Sequence, residues 1–314
     1  MTNRIQSLGF LFPGQGAQAV GMGKELAETF PLAAEVFEQA DQILGFPLSK
    51  MAWEGPAEEL NDTANTQPAL YVHSIAVWKV LKDRHPEVQP KYMAGHSLGE
   101  FSALTAAGSF SFAQGLLLVR ARGERMREAG VKSPGRIAAI LGLTLDQLEE
   151  ITAEAAAEGQ PVTIANDNCP GQVVISGSQD AVDRAIELAK AAGAKRALPL
   201  KVSVAVHSSL MADAQQGLME AINNTEINAP QVPVIGNVSA LPLKTAEDVR
   251  QELQAQLTSR VRWTETIEYL IENGITRYYE LGSGKVLSGL TRRIDRGTSQ
   301  IALGKPEDFE SLTT

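Results

Sequence analysis

The stretch that most constrains this chain is Tyr92-Met93-Ala94-Gly95-His96-Ser97-Leu98-Gly99-Glu100. A short apolar run enters a Gly-x-Ser-x-Gly pattern, and helix-forming residues from Phe101 to Ala107 follow until Gly108 stops them. This order reads as strand, sharp turn, helix, the arrangement of a nucleophile elbow. Such a turn holds its serine in a conformation that only small flanking residues permit, so Gly95 and Gly99 clear space while Ser97 Oγ projects outward. The helix that starts behind Ser97 brings unpaired N–H groups and a positive dipole end, suited to an oxyanion formed when Ser97 attacks a carbonyl. An ordinary Gly/Ser turn would share the five-residue pattern; the strand before it and the helix after it favour the catalytic reading.

At 314 residues the chain has room for one large domain or two modest ones and a substantial core. Apolar residues at 44% and charged residues at 21% give an ordinary globular composition, neither disordered nor coiled coil. A net charge of -9 argues against nucleic acid as a main partner, because a phosphate backbone requires a basic face. The single cysteine excludes an internal disulfide framework and fits a reducing compartment. The apolar run Leu8 to Phe12 is too short for a signal-peptide core or a membrane span, so a cytoplasmic protein with no membrane partner is expected.

Leu8 to Phe12 predicts a buried strand that runs into Pro13-Gly14-Gln15-Gly16-Ala17-Gln18-Ala19, with a helix from about Gly23 to Phe30. Gly14-x-Gly16-x-x-Ala19 matches a loose dinucleotide fingerprint, but that fold needs a second strand ending in an acid about twenty residues on. The sequence instead places Leu32, Val36, Phe37 and Ala40 at helical spacing. Gln15 offers a side-chain amide at a strand end, where open α/β sheets place ligands. A short helix over Pro56 to Leu60 and a long one over Thr66 to His85 follow, with Pro68 in the first turn of the latter. His73 and His85 lack ligand-like spacing, and no metal site is expected.

A helix from about Phe112 to Ala129, capped by Ser111, carries four arginines. At about 100° per residue, Arg120, Arg125 and Arg127 fall at the edges of the apolar face, where snorkelling head groups belong. Arg122 falls inside the arc, between Leu118 and Met126. A guanidinium there needs an anionic partner. A structural salt bridge and a fork for a substrate carboxylate are both open on this reading.

From Gly135 the order becomes β-α-β-β-α-β: strands over Arg136 to Leu143, Val162 to Ala165, Gln172 to Ser176 and Ala197 to Val204, with helices over Leu145 to Glu158 and Ala181 to Ala192. That order predicts a ferredoxin-like subdomain inserted at residues 134–203 into a discontinuous catalytic core, residues 1–133 plus 204–314. Cys169 is expected in a turn, without a catalytic role. His207 is placed at a strand-to-helix corner and is the base candidate by elimination, since His96 should diverge from Ser97 within the elbow. No acid presents itself to orient His207; a backbone carbonyl would serve. Further strands over Val232 to Asn237 and Tyr278 to Leu281 alternate with helices over Ala246 to Leu257 and from Trp263 to about Asn273. Gly282-Ser283-Gly284-Lys285 is half a phosphate loop and lacks the rest, so nucleotide hydrolysis is rejected. The fold class expected is α/β, an α/β-hydrolase-like core with a nucleophile elbow and an inserted ferredoxin-like subdomain.

Phe12-Pro13-Gly14-Gln15-Gly16, Gly95-His96-Ser97-Leu98-Gly99-Glu100, Arg120-Ala121-Arg122-Gly123, Gly171 to Gly177, Val206-His207-Ser208 and Gly284-Lys285-Val286-Leu287 together resemble the malonyl-CoA:acyl carrier protein transacylases. The resemblance runs in order from the first strand to about Arg293, and acyltransferase domains of polyketide synthases share most of these marks. It implies Ser97 as nucleophile, His207 as its base, the main-chain carbonyl of Gln256 as the group holding that histidine, Gln15 and the N–H of Leu98 as oxyanion hole, and Arg122 as the grip on a malonate carboxylate. Leu98 resembles the malonyl-selective pattern; Val206 departs from the serine or phenylalanine of relatives. The activity implied is ping-pong transfer of malonyl from malonyl-CoA through a Ser97 ester to the phosphopantetheine thiol of a holo acyl carrier protein in fatty acid synthesis, by a monomer needing no cofactor. A polyketide pathway, an acyl-thioester hydrolase and a dinucleotide-binding module are the alternatives. Arg122 speaks against a hydrolase of neutral acyl groups. Because carrier proteins are acidic, a basic rim is expected from Lys195, Arg196 and Lys201, or from Arg260 and Arg262.

Overall fold

The computed structural model describes residues 7–156, 160–200, 204–310 and 312. Two sheets organise them. In chain order the elements are β1 Leu8–Phe12, α1 Lys24–Thr29, α2 Pro31–Leu44, α3 Leu48–Glu54, α4 Ala57–Asn61, α5 Thr63–Arg84, β2 Tyr92–Gly95, α6 Leu98–Ala106 and α7 Phe112–Lys132. Then come β3 Gly135–Leu141, α8 Leu145–Ala155, β4 Val162–Cys169, β5 Gln172–Ser178, α9 Gln179–Ala191 and β6 Arg196–Pro199. A 3-10 turn Ser209–Met211 leads into α10 Ala212–Asn223, β7 Val234–Ile235, β8 Pro242–Leu243, α11 Ala246–Gln256, β9 Val261–Arg262 and α12 Trp263–Glu272. The chain closes with β10 Arg277–Leu281, α13 Val286–Ile294, β11 Ser299–Leu303 and α14 Pro306–Glu310.

The first sheet has the order β11-β10-β1-β2-β7-β8 and is parallel except for β8. Its strands are short and apolar because both faces are covered. Along β1, Leu8, Phe10 and Phe12 face one core with residues of α2, α5, α6 and α7, while Leu11 faces another with Trp263, Ile267 and Leu270 of α12 and Leu287 and Leu290 of α13. The second sheet, β6-β3-β5-β4-β9, is antiparallel apart from the β4–β9 pair, and its core is closed by α8 and α9. The strand β9 belongs to this sheet although it follows α11, so the two sheets are joined by more than the two ends of the 134–203 segment.

Register between β1 and β2 positions the site. Phe12 lies opposite Gly95, which sets the loop after β1 beside the elbow. A Cβ on Gly14 would overlap the His96 carbonyl, one on Gly95 would overlap the Gly99 backbone, and one on Gly99 would overlap the Phe12 carbonyl. These glycines are therefore required by close backbone approach. Likewise α7 lies tight on α5, where added carbons at Gly115 and Gly123 would meet the Tyr71 hydroxyl and the Thr63 and Ala64 backbone.

Four expectations need correction. Helix α5 starts three residues earlier than periodicity predicts, because the Asp62 side chain accepts from Ala64 N at 2.9 Å and caps it there. Pro68 is consequently inside the helix, and the Ala64 carbonyl that its missing N–H would have engaged accepts instead from Arg120 Nη1 at 2.9 Å. Arg120 thus has a fixed structural role and also stacks on the Phe46 ring. Cys169 ends β4 and is buried, rather than sitting in the turn. The strand leaving the second sheet ends at Pro199, so His207 lies on a loop rather than at a strand end, with φ 60°. Residues 157–159 and 201–203, including Glu158 of the expected helix end, Lys201 and part of the last expected strand, lie outside the described residues.

Candidate active site

Ser97 caps α6 with φ 52° and ψ -107°, a strained conformation for a residue with a side chain. The strain is held by Asn237, whose Oδ1 accepts from Ser97 N at 2.7 Å and whose Nδ2 donates to the Gly95 carbonyl at 2.7 Å. One amide from the far side of β7 therefore brackets the turn. Ser97 is partly buried, and its Oγ meets two groups. His207 Nε2 lies at 2.8 Å and Arg122 Nη2 at 3.0 Å.

His207 is buried, its backbone N–H donating to the Leu257 carbonyl at 3.0 Å. Its Nδ1 faces two carbonyl oxygens, Gln256 O at 3.0 Å and Ser259 O at 2.9 Å. Carbonyls only accept, so Nδ1 bears the hydrogen and Nε2 presents its lone pair to the serine hydroxyl. Burial first, then the neighbouring Arg122 cation, pushes its pKa down to about 3. The ring is a neutral base oriented without a carboxylate. His96 turns away as expected: its Nε2 bonds Asn168 Oδ1 at 2.8 Å and its ring meets Trp263 edge-on.

Arg122 is 1% exposed and lies over the Phe101 ring. Its partners among the described residues are uncharged: Nη1 donates to Gln67 Oε1 at 2.8 Å and approaches Met126 Sδ, and Nη2 donates to Gln256 Oε1 at 3.1 Å as well as to Ser97. Its Nε has no hydrogen-bond partner among the described residues. Burial lowers its pKa to about 10, which leaves it cationic at neutral pH. A buried guanidinium whose hydrogen-bond acceptors are all neutral is an incomplete ion pair beside the Ser97 hydroxyl, the electrostatic setting for binding an anionic group.

Leu98 N opens α6 and has no acceptor within the helix. Gly14, on the loop after β1, lies next to Leu98 N, and the half-buried Gln15 that follows accepts at Oε1 from Thr63 Oγ1 at 3.0 Å. Gln256 contributes its side chain as well as its carbonyl: Nε2 donates to Ser97 O at 2.9 Å and to Glu100 Oε2. The structure thus brings Ser97, His207, Arg122, Gln256 and Leu98 together, with Gln15 reaching Arg122 only through Thr63 and Gln67. Sequence reading missed Asn237, Ser259, Gln67 and the buried pair Glu100 and Glu252. Of these only Asn237 carried a signal, being polar at the carboxyl end of a strand next to the elbow strand.

Two other phosphate-like motifs are used internally. Gly14 serves the approach to the elbow. At the start of α13, Glu280 accepts from Leu287 N at 2.9 Å and Ser288 N at 2.7 Å, so the chain's own carboxyl already occupies that anion-binding end.

A strained serine at a helix start, a tautomer-fixed histidine and a buried cation define a serine acyltransferase type of site. Residues 9–282 match the family described as Acyl transferase domain. A malonyl CoA-acyl carrier protein transacylase of Bacillus subtilis (strain 168) is 47% identical over 306 residues, covering 98% of this chain and 96% of that one. An acyl carrier protein S-malonyltransferase from Vibrio cholerae superposes with a TM-score of 0.94 at 42% identity, covering 98% and 100% of the two chains. A malonyl-transacylase solved in complex with a type II PKS acyl-carrier protein superposes with a TM-score of 0.94 at 43% identity, covering 97% and 98%. The chain belongs to the malonyl CoA-acyl carrier protein transacylase family. Among the described residues no helix is long and apolar enough to cross a membrane.

Proposed function

We propose that this protein moves malonyl from malonyl-CoA to the phosphopantetheine thiol of an acyl carrier protein, in fatty acid synthesis, through an ester on Ser97. The observation that carries the reading is the Ser97 hydroxyl held between His207 Nε2 and a buried Arg122 whose acceptors among the described residues are all neutral. His207 takes the hydroxyl proton as Ser97 Oγ attacks the thioester carbon. The oxyanion receives the Leu98 N–H and the Gln15 loop; with the Gln15 side chain turned to Thr63, its backbone N–H is the better candidate donor. The intermediate collapses, CoA leaves with the proton from His207, and the carrier thiol then gives its proton to His207 and attacks the ester in the reverse sense. The malonate carboxylate fills the open side of Arg122, which selects against neutral acyl groups. This site requires no cofactor.

The antiparallel strand order β6-β3-β5-β4 with two helices on one face supports the ferredoxin-like reading of the insert, and the parallel first sheet with its elbow supports the hydrolase-like reading of the rest. On that division the core is 1–133 plus 204–314, with β9 as its loan to the smaller sheet. We further read the protein as a cytoplasmic monomer. For the carrier's rim, Arg260 and Arg262 already face Glu149 and Glu265, while Lys195 and Arg196 are exposed, so the latter pair is the stronger choice.

The test is intact-mass spectrometry after brief exposure to malonyl-CoA or acetyl-CoA. Wild type takes a malonyl adduct and Ser97→Ala takes none. Arg122→Ala loses malonyl loading by on the order of 100-fold, as expected for removing one partner of a buried charge pair, and tolerates acetyl better. Release of free CoA without a lasting adduct would instead favour a hydrolase.

A further inference from the structure

Behind the nucleophile lies a pair of buried carboxyl groups that the chemistry above does not use. Glu100, on α6, is 0% exposed and Glu252, on α11, is 6% exposed. The two carboxyls are neighbours, because the successive N–H groups of Asn237 and Val238 end one on each. Glu252 also accepts from Val238 N at 2.6 Å and from Ser239 Oγ at 3.2 Å. Glu100 accepts from Asn237 N at 3.1 Å and from Gln256 Nε2. Neighbouring carboxyls buried in a protein raise each other's pKa, so that the pair keeps one proton where a free carboxylate would have lost it. Glu252 is the better seat for the negative charge, since it keeps some solvent contact and feels Arg262 beside it.

We propose that Glu100 is a positioning residue that carries this proton while its oxygens hold Asn237 and Gln256, so that the nucleophile turn and the histidine-bearing loop are locked together and Arg122 keeps no resident carboxylate. This rests on the transacylase reading of the site. Each link follows from the geometry. Asn237 brackets Ser97, and its own N–H ends on Glu100. Gln256 offers its carbonyl to His207 and its Oε1 to Arg122, and its amide is oriented by Glu100. An ionised Glu100 would place an anion one amide away from Arg122 and compete with the carboxylate of the incoming acyl group. Burial and the Glu252 charge push Glu100 well above the usual carboxylate range, and they outweigh the opposing pull of Gln256, Asn237 and Arg122.

Difference infrared spectroscopy of wild type against Glu100→Gln, at a neutral pH where malonyl loading is measured, reads the proton directly. A protonated-acid C=O band present in wild type and absent from Glu100→Gln is the expected result; its absence from wild type overturns the proposal. The amide nitrogen of Glu100→Gln cannot accept, so either Asn237 or Gln256 loses its acceptor. The variant should load malonyl at least tenfold more slowly, with an unchanged near-ultraviolet circular dichroism spectrum. In wild type, KM for malonyl-CoA should rise at alkaline pH as the acid band disappears, and that rise should be missing in Glu100→Gln. Wild-type rates and KM in the variant would overturn the positioning role even with the band present. A wild type that shows the band yet takes no malonyl would count against the transacylase reading and not against the proton on Glu100.

Discussion

At the scale of single residues, the site works by leaving groups incompletely satisfied. Arg122 is a buried cation whose hydrogen-bond acceptors among the described residues are all neutral, and the same cation helps to keep His207 neutral. The pH dependence follows with a definite sign. His207 has a folded pKa of about 3, below its ordinary value of 6.5, so it is the free base throughout the neutral range. The kcat/KM for malonyl-CoA should therefore show no loss between pH 8 and 6 from this group, with an acid limb below pH 5. For acetyl-CoA, Arg122→Ala should move that limb upward, because one of the two main depressing influences is gone; steady-state rates across pH check both. The three side chains that the structure brings into contact, Ser97, His207 and Arg122, could be singled out in the sequence because each stands out from its local pattern: a hydroxyl between glycines, a ring at a break, a charge in an apolar arc. Asn237 offered only its place at a strand end, since its partner Ser97 lies 140 positions away and the pairing of β2 with β7 brings them together. Ser259 and Gln256 act on His207 through main-chain oxygens, which every residue type possesses, so side-chain chemistry could not announce them.

At the scale of elements, the elbow depends on backbones meeting without side chains between them. Gly99→Ala would press a methyl group into the Phe12 carbonyl at the end of β1. We expect a loss on the order of 3 kcal/mol, at the upper end of overpacking costs, with Ser97 no longer in register with His207. A lower urea midpoint together with abolished malonyl loading would show it, whereas an unchanged midpoint would refute the close approach. Most helices were legible from periodicity and caps: Ser111 does cap α7, with Gln114 completing a capping box. The start of α5 was misplaced because Pro68 looked like a first-turn residue. The compensation that lets it sit deeper comes from Arg120, on another helix, which no local pattern reveals.

At the scale of the whole molecule, stability should depend on pH through histidines buried in the neutral form. His73, on α5, bonds the Gly304 carbonyl after β11 at 3.0 Å, and burial lowers its pKa to about 4. Below about pH 6.5 the unfolded chain binds protons that the folded His73 and His207 refuse. Each therefore removes stability as pH falls, by at most about 1.4 kcal/mol per unit, from the unfolded value down to its own folded one. Urea midpoints of wild type should fall between pH 6.5 and 5, and less steeply in His73→Gln; parallel slopes would deny His73 this role. The alternation of strands and helices, and the change of pattern at Gly135, made the two-sheet layout readable from sequence. The membership of β9 in the smaller sheet was not, because a two-residue strand leaves no periodicity.

That short strand has a mechanical consequence. Within seven residues the chain delivers the two carbonyls that steer the His207 ring, at Gln256 and Ser259, and then the two residues that dock beside Asn166 and Asp167 at the rim of the smaller sheet. If the smaller sheet swung as a jaw about that rim, it would pull on the tether of the imidazole and detune proton transfer before the cleft gaped appreciably.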